Sequence, residues 1–184
     1  TYLAIMIWAV VARKWGIFGL VLVIGVFTRE TALIMVPVTG VFLLETGTIG
    51  REWRRAAAAI LPGVICFIAI RLIIKHAEGE GLFEAFLNNY SKLLEPEVWY
   101  RLLINSFAPV SLLPLVFFEE TKRFFGSHKY LLVFIVLVFL TTLFGLNNER
   151  LMGPASLAYY LLIATIVQNR FGTNKWMLCW VAGF

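Results

Sequence analysis

Hydrophobic and polar positions fall in long blocks along this chain rather than alternating residue by residue. Apolar runs cover Tyr2–Ala12, Trp15–Thr28, Thr31–Leu44, Ala56–Ile74, Val98–Phe118, Tyr130–Leu146, Leu151–Val167 and Trp176 onward. A helix needs about 20 apolar residues to cross a bilayer, with roughly 17 at the short end. Four of the runs reach that length, and the two flanking Arg29–Glu30 fall short of it. The pattern predicts an all-α fold, a polytopic transmembrane helical bundle with short paired helices. Residues 1–184 read as one multi-pass domain. Thr1 already lies inside an apolar run and Phe184 inside another, as expected for part of a longer protein truncated at both ends.

The polar breaks supply the orientation. Arg13–Lys14, Arg51/Arg54/Arg55, Lys122/Arg123/Lys129 and Arg170/Lys175 are the basic clusters. If each run crosses once, all four fall on one side, which the excess of Lys and Arg marks as cytoplasmic. Arg29–Glu30, the stretch Lys75–Glu97 and Asn147–Arg150 then face the outer or lumenal side. A single span over Trp15–Leu44 would place Arg13–Lys14 and Arg51–Arg55 on opposite sides and lose this bias. Two short passes meeting at Arg29–Glu30 preserve it. Charges at such a junction reach headgroups or water, which lowers the penalty of placing them near hydrocarbon.

The outer stretch carries Glu78, Glu80, Glu84, Glu95 and Glu97, with glycines at its start. Leu82, Phe83, Phe86, Leu87, Tyr90, Leu93 and Leu94 recur with helical period, predicting an amphipathic interfacial helix that Pro96 ends. Asn89-Tyr90-Ser91 matches a glycosylation triplet, a weak signal within a helix. Prolines 37, 62, 109, 114 and 154 lie inside apolar runs and predict kinked, packed helices.

Composition sharpens the class. The chain is 60% hydrophobic and 15% charged, with mean hydropathy +0.84, against about 25% charged residues in soluble domains. The net charge of +5 sits between apolar runs, so it sets membrane orientation rather than serving nucleic acid. Cys66 and Cys179 lie in apolar runs and read as small buried hydrophobes, not as a disulfide or metal pair. There is no aspartate, which excludes a Ser-His-Asp triad or an Asp dyad within these residues. His76 and His128 each adjoin a lysine near a helix end and read as interfacial. No cofactor-binding loop and no metal-ligand cluster is evident, and the dependence on a divalent metal is left open.

The remaining chemistry is charge on the outer face: Arg29 and Glu30 at one junction, Glu149 and Arg150 at another. Arg71, Lys75 and Arg101 join them by topology. Adjacent residues on a helix do not face each other, so Arg29 and Glu30 each need another partner. One solution is cross-pairing, Arg29 with Glu149 and Arg150 with Glu30. The other is that an arginine binds an anion, for which its planar, permanently charged fork is suited.

"LVLVIGVFTRETALIMVPVTGVFLL" resembles the segment of polytopic GT-C glycosyltransferases, mannosyltransferase-like enzymes among them, where two helices join at an Arg/Lys-Glu pair. "NNERLMGPASLAYYLLIAT" is similar to their late Glu-Arg-x-x-x-Pro segment. The resemblance implies the C-terminal part of a membrane domain that transfers a sugar from a polyprenyl- or dolichyl-phosphate donor. The acceptor would lie on the outer or lumenal face of a bacterial or archaeal cytoplasmic membrane, or of the endoplasmic reticulum. By matched position, Arg29 and Arg150 would hold the donor phosphate, with Glu30 and Glu149 orienting them. Arg71, Lys75 and Arg101 are weaker additions. The family's acidic catalytic residue lies in a first outer loop, which would fall upstream of Thr1, so no catalytic base is assigned and these residues alone are expected to be inactive. The expected partners are membrane lipid and the lipid-phosphate-linked sugar. Rival readings are a polymerase or ligase of lipid-linked glycans, a transporter, and a non-catalytic membrane subunit. The mid-run positions are mostly Leu, Ile, Val, Phe and Ala, which disfavours a transport path.

Overall fold

A computed structural model describes residues 2–73, 95–103, 107, 111–142 and 152–171. Among them the secondary structure is entirely helical, with no strand. The first half is two helical hairpins: α1 (Tyr2–Val11) with α2 (Trp15–Thr28), and α3 (Met35–Glu45) with α4 (Ile49–Ile73). A 3-10 turn, Glu30–Ile34, joins the hairpins. Then follow α5 (Pro96–Leu103), α6 (Leu113–Val116), α7 (Phe118–Ser127) and α8 (Lys129–Thr142). A second 3-10 turn (Gly153–Ala155) leads into α9 (Ser156–Phe171).

Both hairpins close with the same device. After α1 the Arg13 amide bonds to the Val10 carbonyl and the Lys14 amide to that of Ala9; after α3 the Gly47 amide bonds to Leu44 and that of Thr48 to Leu43. Each is a Schellman termination, which requires one residue with positive φ. Gly47 supplies it at φ +64°, and Arg13 at φ +56°. The left-handed region costs a non-glycine residue about 1 kcal/mol. At Arg13 a compensating contact is present: its guanidinium donates to Glu52 at 2.9 Å.

The hairpins pack through small residues. A Cβ added to Gly19 would lie 2.8 Å from the Ala59 carbonyl oxygen, and one added to Gly63 would lie 2.8 Å from Leu22. Close backbone approach of this kind is how helices associate where hydrocarbon surrounds them. The shared core contains Met6, Phe18, Leu22, Met35 and Val38 from the hairpins, with Leu131, Phe134, Leu162 and Ile166 from α8 and α9. The outward side is apolar as well. On α4, Leu61, Ile65, Ile68 and Leu72 are all at least half exposed and follow helical spacing. Among the described residues α4 is the one helix long and apolar enough to cross a membrane unbroken. α7 and α8 pass the same test only as a pair bent by 103°.

Several expectations change here. Val98–Phe118 is not one continuous helix: Pro114 lies in the four-residue α6, and Phe117, at φ −107° and ψ 54°, breaks the chain before α7. The stretch around Lys122/Arg123, expected as a loop, is the helix α7. Glu119 and Glu120 occupy its first turn, where the helix dipole favours negative charge, and Phe124 is buried beneath it. The bend falls at His128, whose ring stacks on Phe124 at 4.7 Å and whose Nδ1 lies 3.0 Å from the Phe124 carbonyl. Pro96 opens α5, as suits a residue without an amide hydrogen at a helix start. The expected interfacial helix over 82–94 and the Asn89 triplet lie outside the described residues. Of the prolines, Pro37 occupies the first turn of α3 and Pro62 the interior of α4; Pro154 sits in the second 3-10 turn. Cys66 is a free, half-buried cysteine on α4; Cys179 and His76 lie outside the described residues.

Candidate functional site

The junction after α2 is built by one extended residue. Thr28 turns its hydroxyl back to the Gly25 carbonyl at 2.7 Å, ending the helix. Arg29 then leaves helical space at φ −157° and ψ 132°. Its amide still bonds to Gly25, at 2.8 Å, and its carbonyl accepts from Ala32 at 3.1 Å to start the 3-10 turn. In extended backbone, successive side chains point to opposite sides. Arg29 and Glu30, neighbours in sequence, therefore diverge.

Glu30 finds its partner on α4. The Arg71 guanidinium donates to its carboxylate at 2.5 Å. Arg71 also lies over the Phe67 ring at 5.7 Å, which holds the side chain along its own helix. Both members are partly exposed, at 37% and 57%, so the pair contributes about 0.2–1 kcal/mol to stability. Its larger consequence is to occupy the carboxylate beside Arg29.

Arg29 faces an open cavity of about 640 Å³. One wall is the start of α1, with Tyr2, Leu3 and Ala4. The other is Gly153, Pro154, Ser156, Leu157, Tyr160 and Leu161, the second 3-10 turn and the start of α9. Arg29 is the single charged residue among those lining the cavity, and among the described residues no carboxylate pairs with it. Gly25 makes room for the arrangement: a Cβ there would meet Ala32 at 3.0 Å and the Tyr2 ring at 3.2 Å. Tyr2 is further tied to the junction through its hydroxyl, 3.3 Å from Thr31 Oγ1.

Of the residues nominated from sequence, the structure pairs Glu30 with Arg71 and places Arg29 on the cavity. Lys75, Glu149 and Arg150 lie outside the described residues, as does the side chain of Arg101. Pro154, five residues from Glu149 in the second motif, does line the cavity with Arg29. Sequence reasoning missed Tyr2, Ser156 and Tyr160. The Tyr159-Tyr160 pair within an otherwise aliphatic helix was the one available signal: Tyr159 stacks inward on Phe107 at 4.3 Å, while Tyr160 stays half-exposed beside the cavity.

The opposite ends of these helices carry the basic clusters, and there three carboxylates, Glu45, Glu52 and Glu120, are taken up by neighbouring elements. Buried Glu52 accepts from Arg13 at 2.9 Å and from the Trp15 indole at 2.8 Å. Glu45 accepts the amides of Lys129 and Tyr130 at the start of α8. Glu120 on α7 pairs with Arg170 on α9. Its carboxyl is held below the usual value, first by a backbone hydrogen bond and then by that guanidinium. These contacts tie the α1–α2 turn to α4, α3 to the start of α8, and α7 to α9. Among the described residues no group of His, Cys, Asp and Glu is arranged to hold a metal ion. Comparison with protein-family models, curated proteins and solved structures returned no match.

Proposed function

We propose that the chain is part of a polytopic membrane glycosyltransferase that takes its sugar from a lipid-linked phosphate donor, with Arg29 as a donor-phosphate ligand. The observation that carries this reading is the cavity at Arg29: one permanent cation at the edge of a mostly apolar, open space. A lipid phosphate has the matching form, an anion on a hydrocarbon chain. Arginine offers two parallel donors to a phosphate and stabilises charge as it develops on the leaving group. Arg71 supports the role by holding Glu30, which would otherwise compete for the guanidinium. Arg150, with Glu149 orienting it, is the second donor-phosphate residue in this reading.

With the basic clusters taken as cytoplasmic by their excess of Lys and Arg, the Arg29 cavity opens at the outer or lumenal face. The exposed apolar stripe of α4 faces lipid, and the short helices cross or enter the bilayer as a packed group. Chemistry at one membrane face is favoured over passage through it. The buried polar side chains among the described residues, Thr39 and Glu52, are both satisfied inside the bundle, Thr39 by the Met35 carbonyl at 2.7 Å.

The test is transfer by the full-length protein from a polyprenyl-phosphate sugar. Arg29→Gln leaves a shorter, uncharged polar side chain without the two-pronged guanidinium fork, and is expected to lower the rate about 100-fold. Undiminished transfer at normal expression would overturn the role. Lys122→Gln, at an exposed position of α7 away from the cavity, is the control and leaves transfer unchanged.

A further inference from the structure

We infer a second amphiphile site at the basic end, a groove between α2 and α4 that takes an anionic phospholipid of the cytoplasmic leaflet. The groove measures about 590 Å³. Its α2 wall presents Gly16, Leu20 and Val23, and its α4 wall presents Arg55, Ala58 and Pro62. Those positions follow helical spacing on both sides, so the two walls run parallel to the helix axes. Gly19 and Ala59 close the floor, where the helices touch backbone to backbone.

Three features select the occupant. The groove is smooth: a Cβ on Gly16 would meet nothing within 4 Å. It has the right depth, since Arg55 to Pro62 spans about 10 Å of helix at ~1.5 Å per residue, within the ~15 Å of one leaflet's hydrocarbon. It carries net positive charge at its mouth. Arg55 lines it, Arg51 and Arg54 are exposed at the same end of α4, and the acid among them, Glu52, is already buried with Arg13 and Trp15. Trp53, half-exposed on the same turn, suits the headgroup layer. A phosphate at Arg55 with an acyl chain along Gly16, Leu20 and Pro62 satisfies all three.

The inference rests on the bundle lying in a bilayer, which carbonate extraction of native membranes reports by itself: release of the protein would remove that premise. The site is tested on full-length protein in detergent, offered phosphatidylglycerol or phosphatidylcholine, with bound lipid counted by native mass spectrometry. Phosphatidylglycerol is expected to be retained in preference. Arg55→Gln should lower its retention about fivefold, the effect of one arginine near an anionic headgroup. Gly16→Leu should lower it comparably with every charge intact, by filling the groove. Inorganic phosphate should not displace the lipid. Equal retention of both lipids, wild-type retention in both variants, displacement by phosphate, or a cross-link from position 16 to a polypeptide segment would each overturn the proposal.

Discussion

The two ends of the helical bundle handle charge in opposite ways. At the basic end, Glu45, Glu52 and Glu120 are each committed to groups of a neighbouring element. They cap α8, pin the α1–α2 turn to α4, and tie α7 to α9. At the other end the one carboxylate of the Arg29–Glu30 pair is diverted to Arg71, and Arg29 is left facing an apolar cavity. The difference teaches how to separate structural from functional charge in such a chain. A charged residue whose partners come from packed helices serves the fold. One that the fold isolates from partners beside a cavity is available for a ligand.

That contrast can be broken experimentally. The largest effect expected is the loss of about 100-fold in transfer from Arg29→Gln described above, with little change in thermal stability. Glu52→Ala should show the inverse pattern, a destabilisation of about 2 kcal/mol, because the buried Trp15 N–H is left unsatisfied; denaturant unfolding in detergent measures it. Gly19→Ala should cost about 2 kcal/mol in the same assay, since the new Cβ strikes backbone that cannot rotate away. Gly16→Ala, three residues earlier with open space around it, should stay within about 0.5 kcal/mol of wild type.

The smaller effects sharpen the comparison. Glu120 has a folded-state pKa below its ordinary value of 4.5, so it contributes stability above that pH and loses it as pH falls through the folded value. Acid titration of unfolding should show this loss, and Arg170→Gln should diminish it. The smallest effect is on stability from Arg71→Gln, about 0.5 kcal/mol for a partly exposed pair. A drop in transfer that exceeds this change would report that freed Glu30 competes with the donor for Arg29.

Much of the architecture was legible before the structure. The break at Arg29–Glu30 follows from two short apolar runs, and the turns near Arg13–Lys14 and Gly47 from the polar residues between runs. The break inside Val98–Phe118 was missed because its residues are almost uniformly apolar, and periodicity cannot locate a kink in a run without polar positions. α7 was read as a loop because four of its ten residues are charged and its apolar face is small. Glu52 passed unremarked among three arginines, since nothing local distinguishes a buried acid from a solvated one.

The sequence by itself determined that the chain is helical, apolar on its outside as well as its inside, broken at Arg29, and basic at one set of turns. These are local properties, set by residue hydropathy and by the few conformations a turn permits. Which side chain meets which was decided by tertiary structure alone. Glu30 meets Arg71, 41 residues away, Glu52 meets Arg13 across 39, and Arg29 shares a cavity with the start of α9. A charge near hydrocarbon must be satisfied by whatever packing brings within a few ångströms, and that distance is written in the crossing of helices, not along the chain.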